Sequence, residues 1–310
     1  MTVALITHPA CLAHDPGPGH PECPARLRAV LAALDAPDFA GLRRVAAPEA
    51  SAADLALVHP PAYVETILAI RPQGAGRIAL DADTLMSAGS AEAALRAAGG
   101  AVLAVDMVMR GEARSAFVAT RPPGHHAERA TAMGFCLFAN AAIAARHAQA
   151  KWGLARVAVV DFDVHHGNGT QDIFAADPSL FYASSHQYPC YPGTGAESET
   201  GIAGNVVNAT LPPGAGSAAF RAAWTGRILP ALDAFAPELL IVSAGFDAHL
   251  ADPLAQLRLQ TADFGWITAE LMALAARRCA ARLVSVLEGG YDLAALAESA
   301  ALHVRTLLQG

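Results

Sequence analysis

The segment RVAVVDFDVHHGNGTQ, residues 156–171, joins a strand-like run to a cluster of carboxylate and imidazole groups. Its β-branched residues predict a buried strand of a parallel sheet. If the backbone stays extended past that run, Asp161, Asp163 and His165 point to one side, because side chains alternate along a strand. These groups could then bind a metal ion or carry protons in one pocket. A helix cap followed by a solvated loop is the alternative, and it is disfavoured because carboxylates are rarely buried unpaired.

Chemically useful side chains also follow other predicted strands. His125 and His126 come directly after two prolines and a glycine, so they sit on a stiff loop that suits a general base. Asp247 is an acid beyond another apolar strand. Tyr291 follows two glycines, which imply a close approach of the backbone, although an ordinary packing role is the alternative.

The elements that must position these residues alternate as strand, polar loop and helix. This order predicts a mostly parallel sheet with helices on both faces and a site at the carboxyl ends of the strands. The candidate residues can converge only if their strands share one sheet, so we predict a single domain over residues 1–310. Gly167 and Gly169 predict a tight turn with positive φ after the central strand. A long helix is predicted from Ser90 to Met109, with Ser87 or Ser90 as its N-cap.

Composition limits the class of protein. The 310 residues are 54% hydrophobic and 16% charged, which excludes a largely disordered chain. A net charge of −7 gives no excess of basic residues of the kind that nucleic-acid-binding proteins show. The five cysteines are scattered without a CxxC pair and suggest a reducing compartment. No apolar run is long enough for a membrane span and the N-terminus lacks signal-peptide features, so we predict a cytoplasmic protein without nucleic-acid or membrane partners.

A catalytic metal centre accounts for the mixed donor set. Asp163, His165 and Asp247 would supply three ligands and leave a position open, as in catalytic zinc sites, where bound water is acidified and a substrate carbonyl is polarised. His125 and His126 would then divide the proton transfers. Further groups could support this chemistry: a buttress for one imidazole, an orienting amide for the other and a phenol for the oxyanion, namely Asp161, Asn168 and Tyr291. Together they predict metal-assisted hydrolysis of an amide.

The segments RPPGHH, DFDVHHGNGTQ, YPGTG, GFDAH, DPL and LEGGYD, in this order, resemble the zinc-dependent histone deacetylase family, including bacterial deacetylase-like amidohydrolases and acetylpolyamine amidohydrolases. HPECPARL near the N-terminus resembles the first helix of that family. The resemblance implies an arginase-like α/β fold with a mostly parallel eight-stranded sheet. It implies one zinc ion on Asp163, His165 and Asp247. It also implies an acid/base pair with two supporting residues and a carbonyl-polarising tyrosine, namely His125, His126, Asp161, Asn168 and Tyr291.

The same resemblance implies the substrate-binding residues. Phe135, with its neighbour Gly134, and Tyr191 would line an acyl-lysine channel, and Leu254 would lie at its rim. Asp83 would contact the substrate backbone, although Asp81 lies two residues away and either could be an ordinary loop acid. A potassium site is also implied, formed by backbone oxygens together with two serines, namely Asp161, Asp163, His165, Ser184 and Ser185.

The N-terminal motif admits two interpretations. Taken alone, His20, Glu22 and Arg26 fit a surface loop and an exposed helix face, because charged residues are mostly exposed. The resemblance instead implies that Arg26 lies near an internal cavity through which acetate is released.

Three departures from the family pattern bear on activity. Asn168 stands where some members carry Asp and resembles the class II pattern, which would change the proton affinity of His126. Ala139 stands where many members have Asn. The N-terminal loop is short, which would open the pocket and remove one dimerisation element, and the oligomeric state is left open. Tyr rather than His at position 291 favours a competent deacetylase.

Competing functions remain at this point. A ureohydrolase of the same fold would need two manganese ions, but His166 and Ala248 break the ligand pattern. A non-catalytic acyl-lysine or polyamine binding protein would lack a proton carrier or Tyr291, and both are present. Leu254 lacks the acidity that would favour a cationic polyamine, so acetylated lysine in a peptide or protein is the preferred substrate, with an acetylated polyamine as the alternative.

Overall fold

One parallel sheet carries the strands that hold the predicted site. The computed structural model describes residues 2–310. The strands, numbered along the chain, are β1 (Val3–Thr7), β2 (Arg43–Ala46), β3 (Ile78–Ala79), β4 (Leu85–Met86), β5 (Ser115–Val118), β6 (Val157–Asp161), β7 (Leu180–Gln187), β8 (Val206–Leu211), β9 (Leu239–Ala244) and β10 (Leu283–Leu287). Eight of them form the order β2-β1-β5-β10-β9-β6-β7-β8, and all neighbours are parallel. β3 and β4 make a separate antiparallel hairpin. The predicted eight-stranded sheet is confirmed.

Helices cover both faces of the sheet. They are α1 (Pro24–Leu34), α2 (Ala52–Leu55), α3 (Pro61–Ala69), α4 (Ser90–Met109), α5 (Asn140–Trp152), α6 (Asn168–Phe174), α7 (Ser217–Ala223), α8 (Leu229–Phe235), α9 (Thr261–Arg278) and α10 (Leu293–Gln309). α4 and α5 pack in one hydrophobic core, and α1, α9 and α10 pack in the core on the other face. A π-helical turn, Trp224–Ile228, joins α7 to α8.

The central strand shows why its sequence is apolar throughout. Val157 and Val159 lie in the core formed with α4 and α5, whereas Val160, Phe162 and Val164 lie in the opposite core. A strand with helices on both faces must be apolar at every position. Beyond the end of β6, Phe162 and Val164 stay buried in the same core as Val160, although residues 163–165 form a bend rather than the extended backbone that the prediction assumed.

The prediction of a turn with positive φ at Gly167 and Gly169, after β6, is wrong. The φ of Gly167 is −76°, and α6 begins at the next residue. Glycine is needed here for close packing: a Cβ on Gly167 would lie 2.5 Å from the Asp161 carboxylate and the Tyr182 hydroxyl. Gly169 likewise has no positive φ, and its backbone lies against the carbonyl group of Ala127.

The predicted N-cap of α4 is also wrong. Gly89 occupies that position and offers no side-chain bond to the helix. Ser90 instead accepts a hydrogen bond from the backbone N–H of Ser87 at 2.7 Å, and its hydroxyl lies 2.7 Å from Nδ1 of His14. The serine is therefore part of a buried contact with the N-terminal segment rather than a cap.

Two further properties bear on the predicted environment. All five cysteines are free thiols. Across residues 2–310, the helices are too short or too polar for any of them to cross a membrane.

Candidate active site

Four neighbouring strands bring the predicted site residues to one edge of the sheet. β5, β10, β9 and β6 are adjacent in that order. The carboxyl ends of parallel strands lie at the same edge, so the loops that follow them meet. The tandem histidines follow β5, Tyr291 follows β10, Asp247 follows β9, and Asp163 and His165 follow β6.

The three predicted metal ligands form a compact buried group. One ligand atom from each of Asp163, His165 and Asp247 lies within 4.8 Å of the other two. Nδ1 of His165 lies 3.1 Å from an oxygen of Asp163 and 3.1 Å from an oxygen of Asp247. The backbone supports this arrangement, because the N–H of Val164 donates to the second oxygen of Asp247 at 2.8 Å.

Electrostatics favour a cation at this group. Burial raises the pKa of Asp247 to about 7, and the negative charge of Asp163 contributes to the shift. Burial acts in the same sense on Asp163, but the positive charge of His125 and a hydrogen bond from His165 lower its pKa overall. Two adjacent carboxylates that are buried away from solvent stay ionised only if a positive charge lies close to them. Oxygen and nitrogen donors without thiolate fit a catalytic zinc ion.

Two glycines let the backbone pack directly against the ligand carboxylates. A Cβ on Gly245 would collide with the carboxylate of Asp163, and a Cβ on Gly289 would collide with that of Asp247. The N–H of Gly289 donates to Asp163 at 2.8 Å. Sequence reasoning missed Gly245, although its place two residues before a loop acid in GFD was a usable signal.

His125 is held between carboxylates. Its Nδ1 lies 3.0 Å from Asp161, and the hydroxyl of Tyr182 donates to the same carboxylate oxygen at 3.1 Å. Burial opposes the charged form, but the negative charges of Asp163 and Asp161 outweigh it and raise the pKa of His125 to about 10. This imidazole therefore retains its proton near neutral pH.

His126 differs from its neighbour in charge. Its Nδ1 lies 2.8 Å from the amide oxygen of Asn168, whose amide nitrogen donates to Glu128 at 2.8 Å. Burial lowers the pKa of His126 well below its usual value, and the positive charges of His125 and His165 add to the effect. The neutral ring donates from Nδ1 to Asn168, which leaves Nε2 free to accept a proton.

A cavity of 230 Å³ opens above these groups. It brings together the predicted substrate-binding residues, namely Asp83, Gly134, Phe135, Tyr191 and Leu254. Its lining also contains three residues of the predicted chemistry, namely His126, His165 and Tyr291. Pro21, which sequence reasoning missed, completes it. Cavities of 430 and 510 Å³ are larger but open near the amino-terminal ends of β5 and β10, away from the metal ligands.

Aromatic rings enclose the cavity. The ring centroid of Phe135 lies 5.9 Å from that of Tyr291, and the centroid of Tyr191 lies 5.1 Å from that of His126. Gly134 and Phe135 have φ values of 54° and 68°. A side chain at Gly134 would also collide with the His126 ring, so this position is restricted to glycine by both conformation and space.

The rim carries Asp83 on a loop fixed by the N-terminal motif. Nε2 of His20 donates to the backbone oxygen of Asp83 at 2.9 Å, and its ring lies 4.9 Å from that of Phe135. Burial raises the pKa of Asp83, and the neighbouring charge of Asp81 adds to the shift. Leu254 is half-buried on the same rim.

Comparison with known proteins decides the family. A family model described as histone deacetylase domain matches residues 20–307.

The chain belongs to the histone deacetylase family.

Relatives and a solved structure agree with this assignment. The histone deacetylase-like amidohydrolase of Pseudomonas aeruginosa is 43% identical over 279 residues, which cover 88% of this chain and 73% of that protein. The mouse polyamine deacetylase HDAC10 is 40% identical over 93% of this chain and 45% of its own length. A crystal structure of the HDA15 HD domain superposes with a TM-score of 0.91 at 36% identity, covering 98% of this chain and 88% of that one. The predicted fold class is confirmed.

As a member of the histone deacetylase family, the chain is a hydrolytic deacetylase, and zinc is typical of the family. The family assignment favours a deacetylase over the ureohydrolase that the sequence analysis considered as an alternative.

In this deacetylase two charged residues of the N-terminal motif are buried, so the surface interpretation is wrong for Glu22 and Arg26. Both side chains are fully buried. The guanidinium of Arg26 donates to Glu22 at 3.0 Å and to the backbone oxygens of Glu288 and Gly290 at 2.5 Å each. It lies 4.8 Å from the ring centroid of Tyr291. Arg26 is not part of the lining of the 230 Å³ cavity, and its part in product release stays a prediction.

Three of the predicted potassium residues, Asp161, Ser184 and Ser185, lie on the adjacent strands β6 and β7, and Asp163 and His165 follow β6. Asp161 of β6 is the register partner of Ser184 of β7. The hydroxyl of Ser184 lies 2.8 Å from Nδ1 of His186, and the hydroxyl of Ser185 accepts the indole N–H of Trp224 at 2.9 Å.

Two buried carboxylates at the edge of the deacetylase site were missed as functional residues. Glu288 and Asp252 each accept backbone N–H groups from segments that carry predicted catalytic residues. For Glu288 a usable signal was present, because an acid follows the buried strand β10 in LEGGYD. Asp252 lies in the DPL segment, where it resembles an ordinary loop acid.

Proposed function

We propose that this deacetylase is a zinc-dependent amidohydrolase that removes acetyl or other short acyl groups from the ε-amine of lysine in peptides or proteins. The observation that supports it is the 230 Å³ cavity, which joins Leu254 at the rim to aromatic walls and to His126, His165 and Tyr291. Such a cavity suits an uncharged acyl-lysine chain with its amide among polar groups.

Asp163, His165 and Asp247 would hold the zinc ion, which acidifies a bound water molecule and polarises the acyl carbonyl. The neutral His126 would accept a proton through Nε2 from the attacking water and return it to the leaving amine as the amide C–N bond breaks, so that the water oxygen ends in the carboxylate product. The phenolic hydroxyl of Tyr291 donates a hydrogen bond to the developing oxyanion.

The two histidines divide this work unequally. His125 is absent from the cavity lining, and its Nε2 lies 3.8 Å from Asp163. We propose that its retained proton offsets the negative charge of Asp161 and Asp163, while Asp161 orients its ring. Asn168 sets the tautomer of His126 in the same way without adding charge.

Steady-state turnover by the zinc-loaded protein tests the proposal. An acetyl-lysine peptide would be compared with N-acetylputrescine and N-acetylspermidine, with His126→Ala as the control. A higher kcat/KM for the peptide, lost in the control, is the expected result. Turnover of the polyamines alone would contradict the proposed substrate.

Acetylpolyamine deacetylation is the second candidate. The Asp83 carboxylate lines the cavity, and Asp81 lies beside it, so the rim carries negative charge that could attract a cationic polyamine. A relative named polyamine deacetylase is 40% identical. A non-catalytic binding protein would instead bind the acetylated ligand without turnover.

We also propose a potassium ion held by backbone oxygens of Asp161, Asp163 and His165 together with Ser184 and Ser185. The pairing of Asp161 with Ser184 supports it. A melting temperature that rises in KCl relative to tetramethylammonium chloride, and rises less in Ser184→Ala, is the expected result.

The remaining proposals concern context. We infer that residues 1–310 act as one deacetylase domain, because the strands of a single sheet are drawn from residue 3 to residue 287. We infer a reducing, cytoplasmic location from the five free cysteines. Limited proteolysis that yields one resistant core, and localisation of a tagged chain, would test these two statements.

A further inference from the structure

Glu288 binds the backbone of the histidine loop. Its side chain is fully buried at the end of β10. One carboxylate oxygen accepts the N–H groups of Gly124 at 2.7 Å and His125 at 3.2 Å, and the other accepts the hydroxyl of Ser243 at 3.1 Å. The loop that carries both histidines is therefore anchored to β9 and β10 through one side chain. The ring of His125 has its own partner in Asp161, so Glu288 restrains a different part of the loop.

Asp252 plays the corresponding part for Tyr291. It is 7% exposed, and one oxygen accepts the N–H groups of Tyr291 at 2.7 Å and Asp292 at 3.3 Å. The other oxygen accepts the N–H of Leu254 at 3.1 Å. Asp252 thus connects Leu254 at the cavity rim with Tyr291 in the cavity wall.

Tyr291 needs such a restraint because of the residues before it. Gly289 and Gly290 lack side chains to hold the backbone, and Gly290 has a φ of 122°, which few other residues adopt. Arg26 binds the carbonyl side of this segment, at Glu288 and Gly290. Asp252 binds the N–H side at Tyr291, so the two side chains together limit the directions in which the phenol can point.

We propose that Glu288 and Asp252 are positioning residues for deacetylation: Glu288 holds the backbone of the histidine loop, and Asp252 holds the backbone of Tyr291. The inference rests on the proposed roles of His126 and Tyr291. Neither carboxylate lines the 230 Å³ cavity, so each acts through another residue rather than on the substrate. Small displacements of catalytic groups lower kcat more than they weaken substrate binding.

Kinetics of paired variants test Asp252. Asp252→Ala is expected to lower kcat about 10- to 100-fold with KM changed less than about 3-fold, and Asp252→Asn, which keeps one acceptor oxygen, should recover part of the loss. In a Tyr291→Phe background the same change should cost less than about 3-fold, because the hydroxyl that it positions is gone. An equal loss in both backgrounds overturns the assignment.

Glu288 is tested against the same background. Glu288→Ala should lower kcat by a similar factor, with partial rescue in Glu288→Gln, and its effect should multiply with that of Tyr291→Phe, because it acts through the histidine loop. Asp106→Ala is the control: this buried carboxylate binds His147, Lys151 and Trp152 between α4 and α5, so its loss should lower the melting temperature and leave kcat unchanged.

Hydrogen exchange supplies a readout that does not need turnover. In Glu288→Gln and Glu288→Ala, amide exchange should accelerate in the loop of residues 122–128, and in Asp252→Asn in residues 289–293, with other protected segments unchanged. Unchanged exchange in these loops overturns the inference even if no substrate is hydrolysed. Absence of turnover by the parent protein on peptide and polyamines, with the expected exchange pattern, would instead contradict the proposed function.

Discussion

Nδ1 of His126 lies 2.8 Å from the amide oxygen of Asn168, and the amide nitrogen of Asn168 donates to Glu128 at 2.8 Å. The contact with Glu128 sets the orientation of the amide, so its oxygen faces the imidazole. His126 must then carry its hydrogen on Nδ1, which leaves Nε2 as the proton acceptor in the cavity. A neutral partner at this position sets the tautomer without the charge that a carboxylate would bring.

Asn168→Asp is therefore expected to raise the pKa of His126, because a negative charge stabilises the imidazolium form. A general base with a higher pKa becomes protonated at higher pH, so the acidic limb of the kcat/KM profile should move up by about one pH unit or more. Asn168→Ala serves as the control and should lower kcat without that upward shift. An unmoved acidic limb in Asn168→Asp would contradict the role of Asn168.

Asp163→Asn and Asp247→Asn are each expected to abolish stable zinc binding, since both remove a charged ligand from a three-ligand site. Metal analysis after gel filtration should fall from about one zinc per chain to a small fraction, with loss of deacetylation. Asp233→Asn, which removes a surface ion pair with Arg278, should keep both. Retained zinc in either ligand variant would show that the site is wrongly assigned.

Gly245→Ala should disrupt the same site through packing, because its Cβ would collide with the Asp163 carboxylate. We expect reduced zinc content and a lower melting temperature. Gly226→Ala is the matched control, since a Cβ there meets nothing within 4 Å in the π-helical turn. That change should leave zinc content intact and raise stability by up to about 1 kcal/mol. Equal behaviour of the two variants would argue against the packing explanation.

His303 is expected to make stability depend on pH. Burial lowers the pKa of His303 to about 3, and its ring nitrogens contact the hydroxyls of Thr268 and Ser285. Below about pH 6.5 His303 binds a proton in the unfolded chain but stays neutral in the folded chain. The free energy of unfolding is therefore not reduced by this histidine above that pH, and it falls as the pH decreases below it.

His303→Gln removes that titration. The free energy of unfolding in urea should fall between pH 7.5 and 5.5 by about 1.4 kcal/mol more in the parent protein than in the variant. The other buried histidines are common to both proteins and cancel in the difference. Identical losses would show that His303 is protonated without cost in the folded state.

Leu254→Glu should shift the substrate preference towards polyamines, because a carboxylate on the rim attracts a second amine. An exposed ion pair of up to about 1 kcal/mol corresponds to an increase of about five-fold in kcat/KM for N-acetylspermidine relative to the acetyl-lysine peptide. Leu254→Gln, of similar size without charge, should not show it. The effect should weaken in high salt.

The sequence by itself determined the parts of the site that depend on local pattern. The β-branched run before Asp161 predicts a buried strand, and alternation alone predicts that Asp163 and His165 lie on one side of it. The two prolines and glycine before His125 predict a rigid loop. These inferences depend only on periodicity and backbone stiffness, which are properties of a few neighbouring residues.

Only the tertiary structure decided what depends on distant neighbours. Asp247 reaches Asp163 because β9 pairs with β6, and the burial of Arg26 follows from its contacts with the end of β10. Gly167 serves close packing rather than a turn, and Glu288 binds a loop far away in the chain. The burial and the contacts of a side chain depend on which distant segments pack against it. A local sequence pattern does not show which segments these are.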